Sequence, residues 1–155
     1  MKVLFLHGFG SDPNGIRPTT LREHGFAVIH PALPDDDYAE SVRIAQQAFD
    51  QSRPDVVVGS SRGGAVALGI ETGQTPLVLI APAWKHWESD ATIDSTTQIL
   101  HSRHDDVVAI EDSQELLRRS RLPIAQLVVV GECHKMTDKA AFEALFDAVE
   151  RAVEN

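Results

Sequence analysis

An open, mostly parallel six-stranded α/β sheet with helices on both faces is the architecture this sequence predicts, and three observations predict it. Short runs rich in Val, Leu and Ile recur along the chain, with amphipathic helical patterns between them. The runs are continuously apolar and do not alternate with polar residues, which suits strands covered on both sides in a parallel sheet. Strand and helix then follow one another without a break, and right-handed crossovers leave a doubly wound open sheet as the economical arrangement. With 155 residues the chain is long enough for one core and too short for two ordinary domains, so 1–155 is expected to form a single domain.

The elements follow in order. Val3 to Leu6 is the first expected strand and Phe26 to Ile29 the second, with a short helix expected after Pro18 in the intervening Asn14–His24 segment. Pro31 to Asp37 is a polar turn, and Tyr38, Val42, Ala45 and Phe49 then share one face at helical spacing. Val56 to Val58 is the third strand, followed by a buried, small-residue helix expected over Gly63 to Gly73. Leu77 to Ile80 and Ile99 to Leu100 are the fourth and fifth strands. The helix expected over Ile110 to Ser120 carries Glu111 and Asp112 early and Arg118 and Arg119 late, matching the helix dipole. Leu127 to Val130 is the sixth strand, and Phe142, Leu145, Phe146, Val149 and Val153 mark the last amphipathic helix.

Composition narrows the function classes. A formal net charge of −9 gives no basic face on which to neutralise phosphates, so nucleic acid is not an expected partner. No run approaches the ~20 apolar residues of a membrane span, so no membrane association is expected. Cys133 is the single cysteine and cannot form an internal disulfide, and the opening Met1 to Leu6 has no leader pattern; a cytoplasmic protein is the expectation.

Gly59-Ser60-Ser61-Arg62-Gly63 fits Gly-x-Ser-x-Gly where an apolar run ends and a small-residue helix begins. A turn that sharp forces its central residue into strained backbone geometry and requires glycine where a Cβ would collide with neighbouring chain. It would project the Ser61 hydroxyl at the carboxyl end of the sheet, where ligands bind in open α/β folds. A hydroxyl is a poor nucleophile until a base takes its proton, and the base needs an acid to hold its tautomer. Asp105 follows the fifth strand and His134 the sixth, in the chain order this arrangement uses. Asp106 is the rival for the acid role. His7-Gly8-Phe9-Gly10-Ser11, after the first strand, is the candidate oxyanion loop, with the backbone N–H groups of Phe9 and Arg62 as donors.

Together these segments resemble the α/β-hydrolase family, and within it the small single-domain bacterial serine esterases of the YqiA type, over nearly the whole chain from Lys2 to Val153. The resemblance implies a minimal α/β-hydrolase fold and a cofactor-free acyl-enzyme mechanism using Ser61, His134 and Asp105. The sequence departs from larger members in lacking their two amino-terminal strands and in placing the bulky Arg62 beside the nucleophile. Only Pro82 to Thr97 joins the fourth and fifth strands, which is too little for a lid domain. Trp84 and Trp87, in that connection, are the candidate substrate-binding wall, and each is equally readable as a core anchor. Lys85, His86 and Arg62 are expected to soften the anionic field at the entrance, and short, uncharged acyl esters to be preferred.

Other readings carry less. His101, His104, Asp105 and Asp106 include metal-ligating types, but no second His or Cys pair stands at ligand spacing, and no metal or cofactor is expected. Cys133 beside His134 is read as a buried, inert thiol, and His7, His24, His30, His86 and His101 as structural or exposed. A non-catalytic binding or regulatory protein on the same fold is the alternative to a serine hydrolase acting on a small-molecule ester.

Overall fold

The computed structural model describes residues 1–10 and 14–154. Its elements are β1 (Lys2–Leu6), α1 (Ile16–Glu23), β2 (Ala27–Ile29), α2 (Tyr38–Ser52), β3 (Val56–Ser60) and α3 (Arg62–Gly69) in the first half. The second half adds β4 (Leu77–Ile80), α4 (Trp84–Trp87), β5 (Gln98–His101), α5 (Ile110–Arg119), β6 (Leu127–Val129) and α6 (Lys139–Glu154). A 3₁₀ turn at Ile124–Gln126 leads into β6. The six strands form one sheet in the order β2-β1-β3-β4-β5-β6, every neighbouring pair parallel.

Side chains alternate across each strand, so one continuous apolar run serves two cores. Leu4 and Leu6 of β1 join Ala45, Val66, Trp84, Leu116 and Leu117 on the face covered by α2 to α5. Val3 and Phe5 join Leu21, Leu145, Ala148 and Val149 on the face covered by α1 and α6. The stripe expected over Tyr38 to Phe49 packs on the first of these cores. Asp37 caps α2 by accepting the Glu40 N–H at 3.0 Å.

The chain leaves β1 for β2 on one side and returns to β3 on the other, which makes the gap between β1 and β3 a topological switch point. The loops after β1 and β3 depart in opposite directions there and open a crevice at the carboxyl edge.

Several boundaries differ from expectation. α1 starts at Ile16, with Pro18 inside its first turn, where the missing N–H costs no helical hydrogen bond. The helix expected to run to Gly73 ends at Gly69, because Ile70 turns extended (φ −101°, ψ 156°) and packs its side chain into the core. Ser11 of the expected oxyanion loop lies outside the described residues. Among the described residues no helix is long and apolar enough to cross a membrane.

A Cβ built on Gly63 would stand 2.5 Å from the Leu6 carbonyl carbon and 2.6 Å from the His7 carbonyl oxygen, both main-chain atoms that cannot swing away. Gly63→Ala is therefore expected to destabilise the fold by about 3 kcal/mol or more. Urea unfolding measures this, and a loss under about 1 kcal/mol would contradict the close approach.

Candidate active site

Ser61 sits between β3 and α3 with φ 54° and ψ −116°, a conformation L-residues seldom adopt. Neighbouring strands hold it there. Its N–H donates to the Ile80 carbonyl at 2.9 Å, and its own carbonyl accepts the N–H groups of Gly64 (2.9 Å) and Ala83 (3.0 Å). Gly59 is needed for the same turn, since a Cβ there would lie 2.6 Å from the Gly63 carbonyl oxygen.

The structure brings Ser61, His134 and Asp105 together. His134 Nε2 lies 3.1 Å from Ser61 Oγ, and His134 Nδ1 lies 2.7 Å from Asp105 Oδ2. Nδ1–H donates to the carboxylate, which leaves the Nε2 lone pair facing the serine hydroxyl. Asp106 is exposed and has no part in this chain of bonds. Ser102 Oγ donates to the Gly131 carbonyl at 2.8 Å, tying the loop after β5 to the loop that carries His134.

Asp105 has four donors. Its Oδ1 accepts the N–H groups of Val107 and Val108, both at 2.8 Å, while its Oδ2 accepts from His134 and, at 3.1 Å, from His101 Nε2. His101 is fully buried at the end of β5. Ser113 Oγ donates to its Nδ1 at 2.7 Å, so Nε2–H is shared between Asp105 and the Val108 carbonyl at 2.9 Å. Burial pushes the Asp105 carboxyl up, but the hydrogen bonds from His134, Val108 and Val107 and the charge on His134 outweigh it and hold the carboxyl below its usual value. The expectation that His101 is merely structural or exposed misses this contact. Its signal was a histidine closing an apolar strand four residues before the candidate acid.

The loop after β1 is aimed by His7. Leu33 N–H donates to His7 Nε2 at 2.9 Å, so the ring proton is on Nδ1 and goes to the Gly8 carbonyl at 2.6 Å. Because C=O and N–H of one peptide point in opposite directions, fixing the Gly8 carbonyl also fixes where the Phe9 N–H points. Gly8 lies against the elbow: a Cβ there would be 3.3 Å from the Ser60 carbonyl oxygen and 3.4 Å from Ser61 Cβ. Neither the Phe9 N–H nor the Arg62 N–H has a hydrogen-bond partner among the described residues.

Arg62 does not intrude on the cavity at Ser61. Its side chain is 1% exposed and turns toward α2, where Nη2 donates to the Pro34 carbonyl (2.9 Å) and Ser41 Oγ (3.1 Å). The guanidinium lies 5.3 Å from the Phe9 ring and 5.7 Å from the rings of both Tyr38 and Trp87, an aromatic cage that offsets the burial of its charge.

Four further expectations are corrected. Trp84 is not a substrate wall: it is 1% exposed, and its indole N–H donates to the Asp112 carbonyl at 2.9 Å. Trp87 stacks on Tyr38 and packs against Phe9, so it backs the loop after β1 and is not among the residues that line the cavity. Cys133 is exposed, because the loop after β6 turns its side chain outward. Lys85, expected to soften the field at the entrance, pairs with Asp112 at 3.0 Å and with Glu115. Among the described residues no group of three His, Cys, Asp or Glu side chains is placed to hold a metal ion.

A cavity of about 580 Å³ opens beside Ser61 and His134, walled by Phe5, Phe9, Ile16, Pro18 and Val107 and by the polar side chains of Arg17 and Lys135. Arg17 was not foreseen: no local pattern directs an arginine at the start of α1 toward residues more than forty positions away.

The profile of the Alpha/beta hydrolase family matches residues 3–152. The chain belongs to that family. Solved structures agree in fold. A protein described as a hydrolase of the alpha/beta superfamily, from Xanthomonas campestris, is 18% identical over 99% of this chain and 95% of its own, with a TM-score of 0.73. A YdeN-like hydrolase from Pectobacterium atrosepticum is 18% identical over 99% of this chain and 89% of its own (TM-score 0.72). Est1E from Butyrivibrio proteoclasticus is 14% identical over 99% and 87% (TM-score 0.70). A search of curated protein sequences finds no match. The α/β-hydrolase chain is thus a hydrolase by family, with a minimal six-stranded form of the fold.

The depressed Asp105 carboxyl has a consequence for stability. Its contribution is fully present above the unfolded value, about 4, and is lost as pH falls through the lower folded value. Asp105→Asn has no charge to lose. It is expected to give up less stability than the wild type between about pH 7 and pH 3, measured as urea midpoints. Equal losses in the two proteins would contradict the four-donor account.

Proposed function

We propose that this protein is a serine hydrolase that cleaves a small carboxylic ester through an acyl-Ser61 intermediate. The observation that carries the reading is the unbroken hydrogen-bonded chain from Ser61 Oγ through His134 to Asp105, beside two main-chain N–H groups without partners among the described residues. In the reaction His134 Nε2 takes the hydroxyl proton as Ser61 Oγ bonds to the ester carbonyl carbon. The Phe9 and Arg62 N–H groups stabilise the negative charge on the carbonyl oxygen. As the tetrahedral centre collapses, the carbon–oxygen bond to the alcohol breaks and the imidazolium returns its proton to the departing alkoxide. Water then attacks the acyl-enzyme with the same base, releasing the acid and restoring Ser61.

The connection between β4 and β5 supports an open site. It holds only the four-residue α4, whose Trp84 is buried, and Ile93 anchors its later part to α5 by donating its N–H to Ser120 Oγ at 2.9 Å. Short acyl groups suit the cavity, with no lid to be displaced at a lipid surface. This matches the small single-domain esterases of the YqiA type that the sequence resembles, and a cytoplasmic site of action goes with the same reading.

Ser61→Ala is expected to lower ester hydrolysis at least ~10³-fold while changing stability by no more than about 1 kcal/mol. His134→Ala should match it within about tenfold, and Asp105→Asn should retain more, because nucleophile and base act as one unit. A fluorophosphonate probe should label Ser61, detected by mass spectrometry. A label on Ser60, or none on folded protein, would refute the nucleophile assignment and favour a binding protein on this fold.

Acyl length gives a separate check. Rates on p-nitrophenyl esters should fall from short to long chains and should not jump on adding micelles. A steady rise from two to sixteen carbons would refute the open site.

A further inference from the structure

We propose that Arg17 is an anion-recognition residue beside Ser61, and that the ester cleaved here carries a carboxylate in its acid or its alcohol half. The inference rests on the serine-hydrolase reading for its chemistry and deepens it by naming a substrate class.

Position is the first argument. Arg17 Nη1 donates to Ser60 Oγ at 2.9 Å, and Nη2 donates to the Lys135 carbonyl. Those two residues are the covalent neighbours of the candidate nucleophile and base, so the guanidinium bridges the two loops that carry them. It lines the same cavity as Ser61 and His134. Because Arg17 and Ser61 line one cavity of about 580 Å³, an anion on Arg17 and an ester carbonyl at Ser61 can belong to one small molecule.

Unsatisfied valence is the second. A guanidinium has five N–H donors, and the partners here take one from each Nη, both of them neutral oxygens. Nε is buried and has no partner. Among the described residues no carboxylate lies within 4.0 Å of Arg17. Arg62 is buried with unpaired Nε and Nη1, but three aromatic rings face it. Arg17 has no ring over it among the described residues. A half-buried cation without either compensation is costly, and a carboxylate can pair with the Nη hydrogens that remain free of these two bonds. Burial pushes the guanidinium down to about 10, which leaves it charged at neutral pH.

The third argument is the contrast between cavity and surface. The chain carries 23 acidic residues against 14 Lys and Arg, yet among the described residues the cavity wall holds Arg17 and Lys135 and no Asp or Glu. Asp105, the acid nearest in the mechanism, is shielded behind His134 with all four donors in place. Phe5, Ile16 and Val107 line the remainder and suit a short hydrocarbon spacer. An anionic ester stands in place of the uncharged one expected from the sequence.

The test uses two matched pairs of esters on the full chain. 4-Nitrophenyl hemiglutarate against 4-nitrophenyl valerate places the carboxylate in the acyl half; 4-acetoxybenzoate against its methyl ester places it in the alcohol half. In the wild type, kcat/KM should favour the anionic member of at least one pair roughly tenfold or more, mainly through KM. That ratio should fall to about one in Arg17→Gln and be partly kept in Arg17→Lys. Being internal to each protein, the ratio is insensitive to a general loss of activity. Where Arg17→Gln does not fold, the wild-type ratio and Arg17→Lys decide. Wild-type ratios near one in both pairs overturn the proposal, as does a preference that survives Arg17→Gln.

Calorimetric titration of Ser61→Ala with the same esters separates this inference from the hydrolase reading. Tighter binding of an anionic ester, lost when Arg17→Gln is added, supports the anion site even if the wild type hydrolyses nothing. Equal affinities overturn it while leaving hydrolysis of neutral esters, and the hydrolase reading, intact.

Discussion

At Gly63 the first turn of α3 runs so close to the end of β1 that the space of one methyl group is missing between them. The rest of the site depends on that contact. It fixes how sharply the chain must turn after β3, and so places Ser61 in its left-handed conformation instead of letting the helix begin at leisure. It also sets the Arg62 N–H beside the loop that carries the Phe9 N–H, on opposite sides of the switch point. A parallel sheet makes this possible because β1 and β3 are neighbours in register, Leu6 opposite Gly59.

One buried and one half-buried arginine flank the elbow and are handled differently. Arg62, carried inward by the first turn of α3, finds the rings of Phe9, Tyr38 and Trp87 and two oxygens from α2 and the segment before it. It thereby fastens the loop after β1 to the helical layer. Tyr38 in turn donates to Glu88 at 2.7 Å, and its hydroxyl is held protonated by burial and by that carboxylate, with Arg62 pulling weakly the other way. Arg17 reaches the opposite side of the elbow and, among the described residues, meets only neutral acceptors.

What could be read from the sequence was whatever is written locally. Continuous apolar runs gave six strands, and the Gly59 to Gly63 spacing located the elbow because each glycine answers a steric need within a few residues. Asp105 and His134 were legible because each follows a strand of the sheet in a fixed order. Arg17 and His101 were not, since their partners lie across the fold or depend on a rotamer; the same apolar strand end would hold any buried histidine. Trp84 was ambiguous for a related reason. A tryptophan in a connecting segment looks alike in sequence whether the segment turns toward the core or toward the cavity, and packing against α5 decided it.

The carboxylate of Asp105 has each oxygen engaged by two donors, which leaves it no free lone pair with which to receive a proton. Charge created on His134 is therefore met by a fixed counter-charge that does not itself move. In the proposed hydrolysis a single proton would then be in flight at any moment, passing between the imidazole and the reacting oxygens, with the relay ending at the histidine. The buried His101 is the far anchor of that arrangement, a further donor that holds the carboxylate in place.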